Sequence, residues 1–147
     1  STKNEENWYI LFKILSKKLS WGGDFRNKKI AIVLDDMISN GGTMYALIKK
    51  LVEEKGIKEV YVGVSHNLCV AKALERLKVL HNQYYLKQVV ISNSIPQTAE
   101  YENLSFIKTK CLSDSLARTI NRIHYNQSVS NVFYRPQWRV KEKNGAF

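Results

Sequence analysis

The stretch from Ile30 to Thr43, Ile-Ala-Ile-Val-Leu-Asp-Asp-Met-Ile-Ser-Asn-Gly-Gly-Thr, narrows the choice of fold more than any other part of the chain. Five apolar residues, three of them β-branched, run without polar alternation into two carboxylates. A small polar turn with two glycines follows, and then an amphipathic helical pattern. An apolar run without alternation reads as a strand covered on both faces, as in a parallel α/β sheet. Such a strand delivers its last residues to the carboxyl edge of the sheet, where α/β proteins bind their ligands. The turn Ser39–Thr43 enters the next helix at its N-terminus, where unpaired N–H groups and roughly half a unit of positive charge collect. That end suits an anion, most naturally a phosphate.

Asp35 and Asp36 sit above the turn. Successive strand residues point to opposite faces, so the two carboxylates are expected to diverge unless the strand has already ended. One is placed to hold vicinal hydroxyls or a Mg²⁺ ion, the other to orient its neighbours. Gly41 and Gly42 let the backbone come close to a ligand, and Thr43 adds a hydroxyl at the helix start. A diol reader beside a phosphate cradle suits a sugar phosphate. Spacing alone equally allows a solvated acidic pair, a helix cap or a plain turn. Neither the phosphate-loop pattern G-x-x-x-x-G-K-[ST] nor the dinucleotide pattern G-x-G-x-x-G occurs.

The rest of the chain alternates. Trp8, Leu11, Phe12, Leu15 and Leu19 make a helical stripe over 7–19, widened by Ile10 and Ile14, and Ser20–Asp24 reads as a turn. After the strand at 30–34, Met44, Leu47, Ile48, Leu51 and Val52 give a helix face that Gly56 ends. Strands are expected at 60–64, 89–91 and, more weakly, 106–112. Helices are expected at 70–80 and 113–125. The order β-α-β-α-β-(β)-α with right-handed crossovers implies a three-layer parallel sheet with helices on both faces. Every strand end with small polar groups then falls on one edge: Asp35 with Asp36, Ser65 with His66, and Asn93 with Ser94.

Composition sets limits. A chain of 147 residues with 44% hydrophobic and 24% charged residues has a soluble globular balance. No apolar run approaches the ~20 residues of a membrane span, and the first residues show no secretory signal. Cys69 and Cys111 form no paired framework and read as buried thiols in a reducing compartment. His66-x-x-Cys69 supplies two metal-ligand types without a second pair, which argues against zinc. The net charge of +10 brings nucleic acid to mind. No aromatic-interleaved RNA motif or zinc finger accompanies it, so nucleic acid is a weak partner; solvated helix faces and phosphorylated substrates account for the lysines. The tail, residues 134–147, carries Arg135, Arg139, Lys141 and Lys143 among Tyr134, Trp138 and Phe147, a pattern expected to dock on a partner or to be disordered.

Leu34-Asp35-Asp36-Met37-Ile38-Ser39-Asn40-Gly41-Gly42-Thr43 resembles the ribose-phosphate loop of the type I phosphoribosyltransferase fold, and within it the C-terminal half of ribose-phosphate pyrophosphokinase. Val60–His66 with Ala73–Leu77, then Val89–Pro96, then Leu116–His124 with Ser128–Phe133, are similar to later pieces of that half, in order. The resemblance runs from about Asn27 to Phe133. It implies ribose 5-phosphate binding by Asp35, Asp36, Ser39, Asn40, Gly41, Gly42 and Thr43, with Mg²⁺ at Asp35 and Asp36. If the protein is complete, it also implies pyrophosphoryl transfer from ATP to ribose 5-phosphate.

Two departures pull the other way. The family carries an ATP-binding N-terminal half, and residues 1–26 resemble neither that half nor the start of the C-terminal one. The ribose loop has Ser39 where the family usually has a third acid. The chain is thus expected to hold three parts: an N-terminal helix and linker at 1–26, the phosphoribosyltransferase-like domain at 27–133 and the basic tail at 134–147. Its function is that of a pyrophosphokinase-like domain or, alternatively, of a non-catalytic structural subunit. In the second reading it oligomerises or joins a larger assembly through the N-terminal helix and the tail. The compartment is expected to be cytoplasmic, with a mitochondrial one as the alternative.

Overall fold

The apolar run at Ile30 is a strand, and it is longer than the run itself. The computed structural model describes residues 8–12 and 27–133, and the chain divides after Lys110 into two compact units. The first unit contains β1 (Trp8–Phe12), β2 (Ile30–Ile38), α1 (Gly42–Lys55), β3 (Glu59–Asn67), α2 (Ala71–Gln83), β4 (Leu86–Ser92), α3 (Ala99–Glu102) and β5 (Ile107–Lys110). The second contains α4 (Ser113–His124) and α5 (Ser130–Phe133). All described strands are parallel and lie in the order β1-β2-β3-β4-β5. The α/β class and the parallel sheet are as expected.

The helix expected over 7–19 is not what Trp8–Phe12 forms. Those residues are a strand, with Trp8 opposite Ile30 and Phe12 opposite Leu34. Trp-Tyr-Ile-Leu-Phe is a short apolar run of β-favouring types, and periodicity does not separate such a run from one face of a helix. Pairing with β2 settles it. Residues 13–26 and the tail, 134–147, lie outside the described residues, and with them the rest of the expected helix, the Trp-Gly-Gly turn and the basic aromatic segment.

Strand order explains which face is filled. Neighbours in the sheet are neighbours in the chain, so successive right-handed crossovers advance in one direction and place α1 and α2 side by side on the same face. Met44, Leu47, Ile48 and Leu51 of α1 and Ala73, Leu77 and Leu80 of α2 are buried there against Ala31, Val33, Val60, Val62, Val89 and Ile91. Apart from the two alanines, each such side chain stabilises the fold by about 1.5–3 kcal/mol. On the other face Ile30, Ile32, Leu34 and Tyr61 are only half-buried and Val90 is exposed. β2 is therefore packed from one side by the described helices of its unit, not from both. The third layer expected from the sequence is not among them.

Local signals hold at the helix ends. Gly56 closes α1 with φ +69°, its N–H donated to the Leu51 carbonyl, a conformation that costs glycine nothing. Lys49–Glu53 and Lys50–Glu54 pair at 3.9 and 3.8 Å along the outer face. In the second unit, Leu116, Ile120 and Ile123 form one stripe of α4 and are exposed. The opposite face carries the Asp114–Arg118 pair at 2.9 Å.

Candidate functional site

β2 carries Asp35 and Asp36 inside the strand, not past its end. Asp35 lies opposite Val64, and Met37 opposite His66. The inward alternation of Ala31 and Val33 shifts before the strand ends: Met37 is exposed and Ile38 is buried in the core. Asp35 is half-buried, and Asp36 is exposed and donates its N–H to Asp35 Oδ1 at 3.0 Å.

Past Ile38 the chain turns through Ser39 and Asn40 to Gly41, which precedes α1 with φ +71° and offers no side chain to cap it. The positive φ favours glycine, and a Cβ there would stand 3.4 Å from Cα and Cβ of Ala73, at van der Waals contact. The loop therefore rests directly on α2. Asn40 Oδ1 accepts the Gly42 N–H at 2.9 Å. Arg76, one turn along α2 from Ala73, donates Nη1 to the Asn40 carbonyl at 2.6 Å and lies 3.2 Å from Asn40 Oδ1. A recess of about 40 Å³ remains between the strand end and the helix start, bordered by Asp35, Ser39, Asn40, Gly41 and Thr43 with apolar walls from Ile38 and Met44. Five of the seven residues expected at the site meet there. Asp36 and Gly42 do not border the recess, although Gly42 lies in the same loop.

The neighbouring strand ends behave differently. His66 Nδ1 and Ser94 Oγ are 2.7 Å apart. Ser94 Oγ in turn donates to the Ser65 carbonyl at 3.0 Å, so His66 is the donor to Ser94. Asn67 is fully buried; its amide donates to Gln97 Oε1 at 2.6 Å, and its oxygen accepts the Cys69 N–H at 3.4 Å. Cys69 Sγ lies 3.3 Å from Gln97 Oε1, and Tyr101 OH donates to the Val70 carbonyl at 2.9 Å. Burial pushes the Tyr101 phenol up to about 12. Neither cysteine is in a disulfide; Cys69 is half-buried, and Cys111 is exposed where a buried thiol was expected. The reason is position: Cys111 follows the exposed end of β5, with its Sγ 3.0 Å from Ser113 Oγ. Cys69 and His66 are each bonded within this network, and no group of three or more His, Cys, Asp or Glu side chains among the described residues is arranged to hold a metal.

Residues 15–134 match the family described as the phosphoribosyl synthetase-associated domain. The chain belongs to that family. Among relatives of this phosphoribosyl synthetase-associated domain, ribose-phosphate pyrophosphokinase 2 of Schizosaccharomyces pombe is 39% identical over 111 residues, covering 76% of this chain and 33% of that protein. Ribose-phosphate pyrophosphokinase of Bacillus subtilis is 36% identical over 105 residues, 71% of this chain and 31% of that one. The crystal structure of phosphoribosylpyrophosphate synthetase from Mycobacterium smegmatis superimposes with a TM-score of 0.60 at 28% identity, over 71% of this chain and 33% of that one. The domain thus spans about a third of the length of the proteins it matches. The matched range includes the whole loop from Asp35 to Thr43.

One residue at this loop was not legible as such. Arg76 sits in a stretch that resembles the family, but nothing in its spacing separates it from the solvated cations of α2. The available signal is its place three residues after Ala73, the small side chain on which Gly41 rests. No helix among the described residues is long and apolar enough to cross a membrane.

Proposed function

We propose that the chain binds ribose 5-phosphate at the loop after β2, as part of a ribose-phosphate pyrophosphokinase. The observation that carries this is the shared recess. A strand carboxylate, Asp35, and the turn entering α1 through Gly41 and Thr43 border the same small space. Helix-start amides and the Thr43 hydroxyl hold the phosphate, and Asp35 accepts from the ribose hydroxyls. The relatives' names support the substrate, and the matched family supports the loop.

Mg²⁺ fits through one carboxylate. Asp35 borders the recess and Asp36 does not, so the ion is assigned to Asp35. Magnesium ordinarily takes one or two carboxylates with water and substrate oxygens. When bound, the ion supplies charge neutralisation at the transferring phosphoryl groups of ATP. This chain's own residues position the sugar: the loop fixes the phosphate, and Asp35 fixes the hydroxyl end.

Ser39 favours a second reading, a non-catalytic subunit of a larger assembly that retains the sugar-phosphate site. It borders the recess with a neutral hydroxyl where the resemblance implies a third acid. Titration calorimetry with ribose 5-phosphate and Mg²⁺ tests the site. Saturable binding is expected, with Asp35→Ala weakening it by about tenfold or more and Asp36→Ala doing less. Equal losses from the two variants, or no binding at millimolar ligand, would refute the assignment. A coupled assay for phosphoribosyl pyrophosphate then separates the readings: turnover excludes the non-catalytic one.

A further inference from the structure

Asn40 holds an unusual pair of partners. Its side-chain oxygen accepts the Gly42 N–H at 2.9 Å and lies 3.2 Å from Arg76 Nη1. Gly42 opens α1, so its N–H is one of the donors that a helix start leaves for an anion. A guanidinium is the other donor most suited to a phosphate oxygen. A neutral amide oxygen thus sits between two donors whose natural common partner is an anionic one. Gly42 makes room for them. A Cβ there would stand 3.0 Å from Arg76 Nη1 and 3.1 Å from Asn40 Oδ1. Meanwhile the second bond from Arg76, to the Asn40 main-chain carbonyl at 2.6 Å, holds the loop to α2 whatever the side-chain oxygen does.

We propose that the Asn40 carboxamide is a stand-in for a phosphate oxygen, displaced when the anion arrives, and that Arg76 is a phosphate-binding residue reaching the loop from α2. This rests on the ribose 5-phosphate reading of the loop. The exchange breaks two hydrogen bonds to a neutral oxygen, from the Gly42 N–H and from Arg76, and remakes both to an anionic one, so it favours a dianionic phosphate over a neutral sugar. It also assigns Gly42 its purpose: any side chain at that position would occupy the place where the guanidinium and the incoming oxygen meet.

The test is ribose 5-phosphate binding by calorimetry, with amide NMR of Gly42, for the chain and for Asn40→Ala, Arg76→Ala and Arg76→Lys. Thermal unfolding confirms that each variant is folded. Removal of the stand-in should tighten binding by about threefold to tenfold, the scale of one lost competing hydrogen bond. Arg76→Ala should weaken it by about tenfold. Arg76→Lys should recover part of that loss, because an ammonium keeps the charge and lacks the fork. The Gly42 amide resonance should shift on saturation in the unmodified chain. Asn40→Ala binding that is unchanged or weaker would overturn the inference, since the asparagine would then be an organiser of the turn. Unchanged binding in Arg76→Ala would do the same for the arginine. Failure of the unmodified chain itself to bind would instead strike the ribose 5-phosphate reading, so the two failures are told apart.

Discussion

The loop after β2 and the loops after β3 and β4 share one edge of the sheet, and they use their polar groups in opposite ways. After β3 and β4, Asn67, Cys69, Gln97, His66 and Ser94 bond to one another and to nearby carbonyls. One of them, Asn67, is sealed in the core. After β2, the bracing comes from below: Gly41 rests on Ala73 and Arg76 grips a main-chain carbonyl, which leaves a recess in front of the helix start. The ends of β3 and β4 thus tie most of their polar side chains to one another, although Ser65 and Ser92 also line a cavity of about 350 Å³ that Asp35 borders from β2. The loop after β2 keeps a separate recess before its helix start.

The sharpest way to break this comparison is Asn67→Ala. It leaves Gln97 Oε1 and the Cys69 N–H without their buried partner and should cost about 2–3 kcal/mol of stability, read by urea denaturation. Ribose 5-phosphate affinity of the folded fraction should hardly change, because the loop after β2 does not depend on that network. A variant that kept its stability, or lost the ligand, would erase the distinction between the two regions. Gly41→Ala should show the reverse profile. Its positive φ costs an L side chain about 1–2 kcal/mol, less than the asparagine, and because that strain falls on the loop bordering the recess, ligand affinity falls most.

The smallest effect sharpens the picture from the pH side. Tyr101 is buried with its phenol held near 12 against an ordinary 10.0. A raised phenol favours the fold fully below pH 10, and that contribution is lost as pH rises toward 12, where the unfolded chain gives up the proton first. Tyr101→Phe should cost about 1 kcal/mol at neutral pH for the bond to Val70. Its unfolding midpoint should no longer fall between pH 10 and 12 as steeply as that of the unmodified chain.

The strand at Ile30 and the helix after it were readable because Ile30–Leu34 is an unbroken β-favouring apolar run and Gly56 marks a helix end. Four signals were weaker. Trp8–Phe12 fits two periods at once, and its strand state depends on a ladder supplied by residues twenty positions away. Asp35 and Asp36 look like a strand end, yet pairing with β3 carries β2 on to Ile38. The half-buried face of the sheet follows from strand order, which no residue encodes. Arg76 is chemically an ordinary surface cation until α2 is laid beneath the loop. The site was legible where a residue's own chemistry defines its role, and not where a role comes from what packs beside it.

Because each strand pairs with the next one along the chain, assembly never has to wait for a distant partner. Every ladder from β2 to β5 closes over a single intervening segment, so the entropy of loop closure is met in small, repeated steps. Parallel sheets ordinarily fold slowly because their partners are far apart in sequence. Winding in strict succession shortens those separations, and the loop after β2 needs only β2, α1, β3 and α2 to take shape.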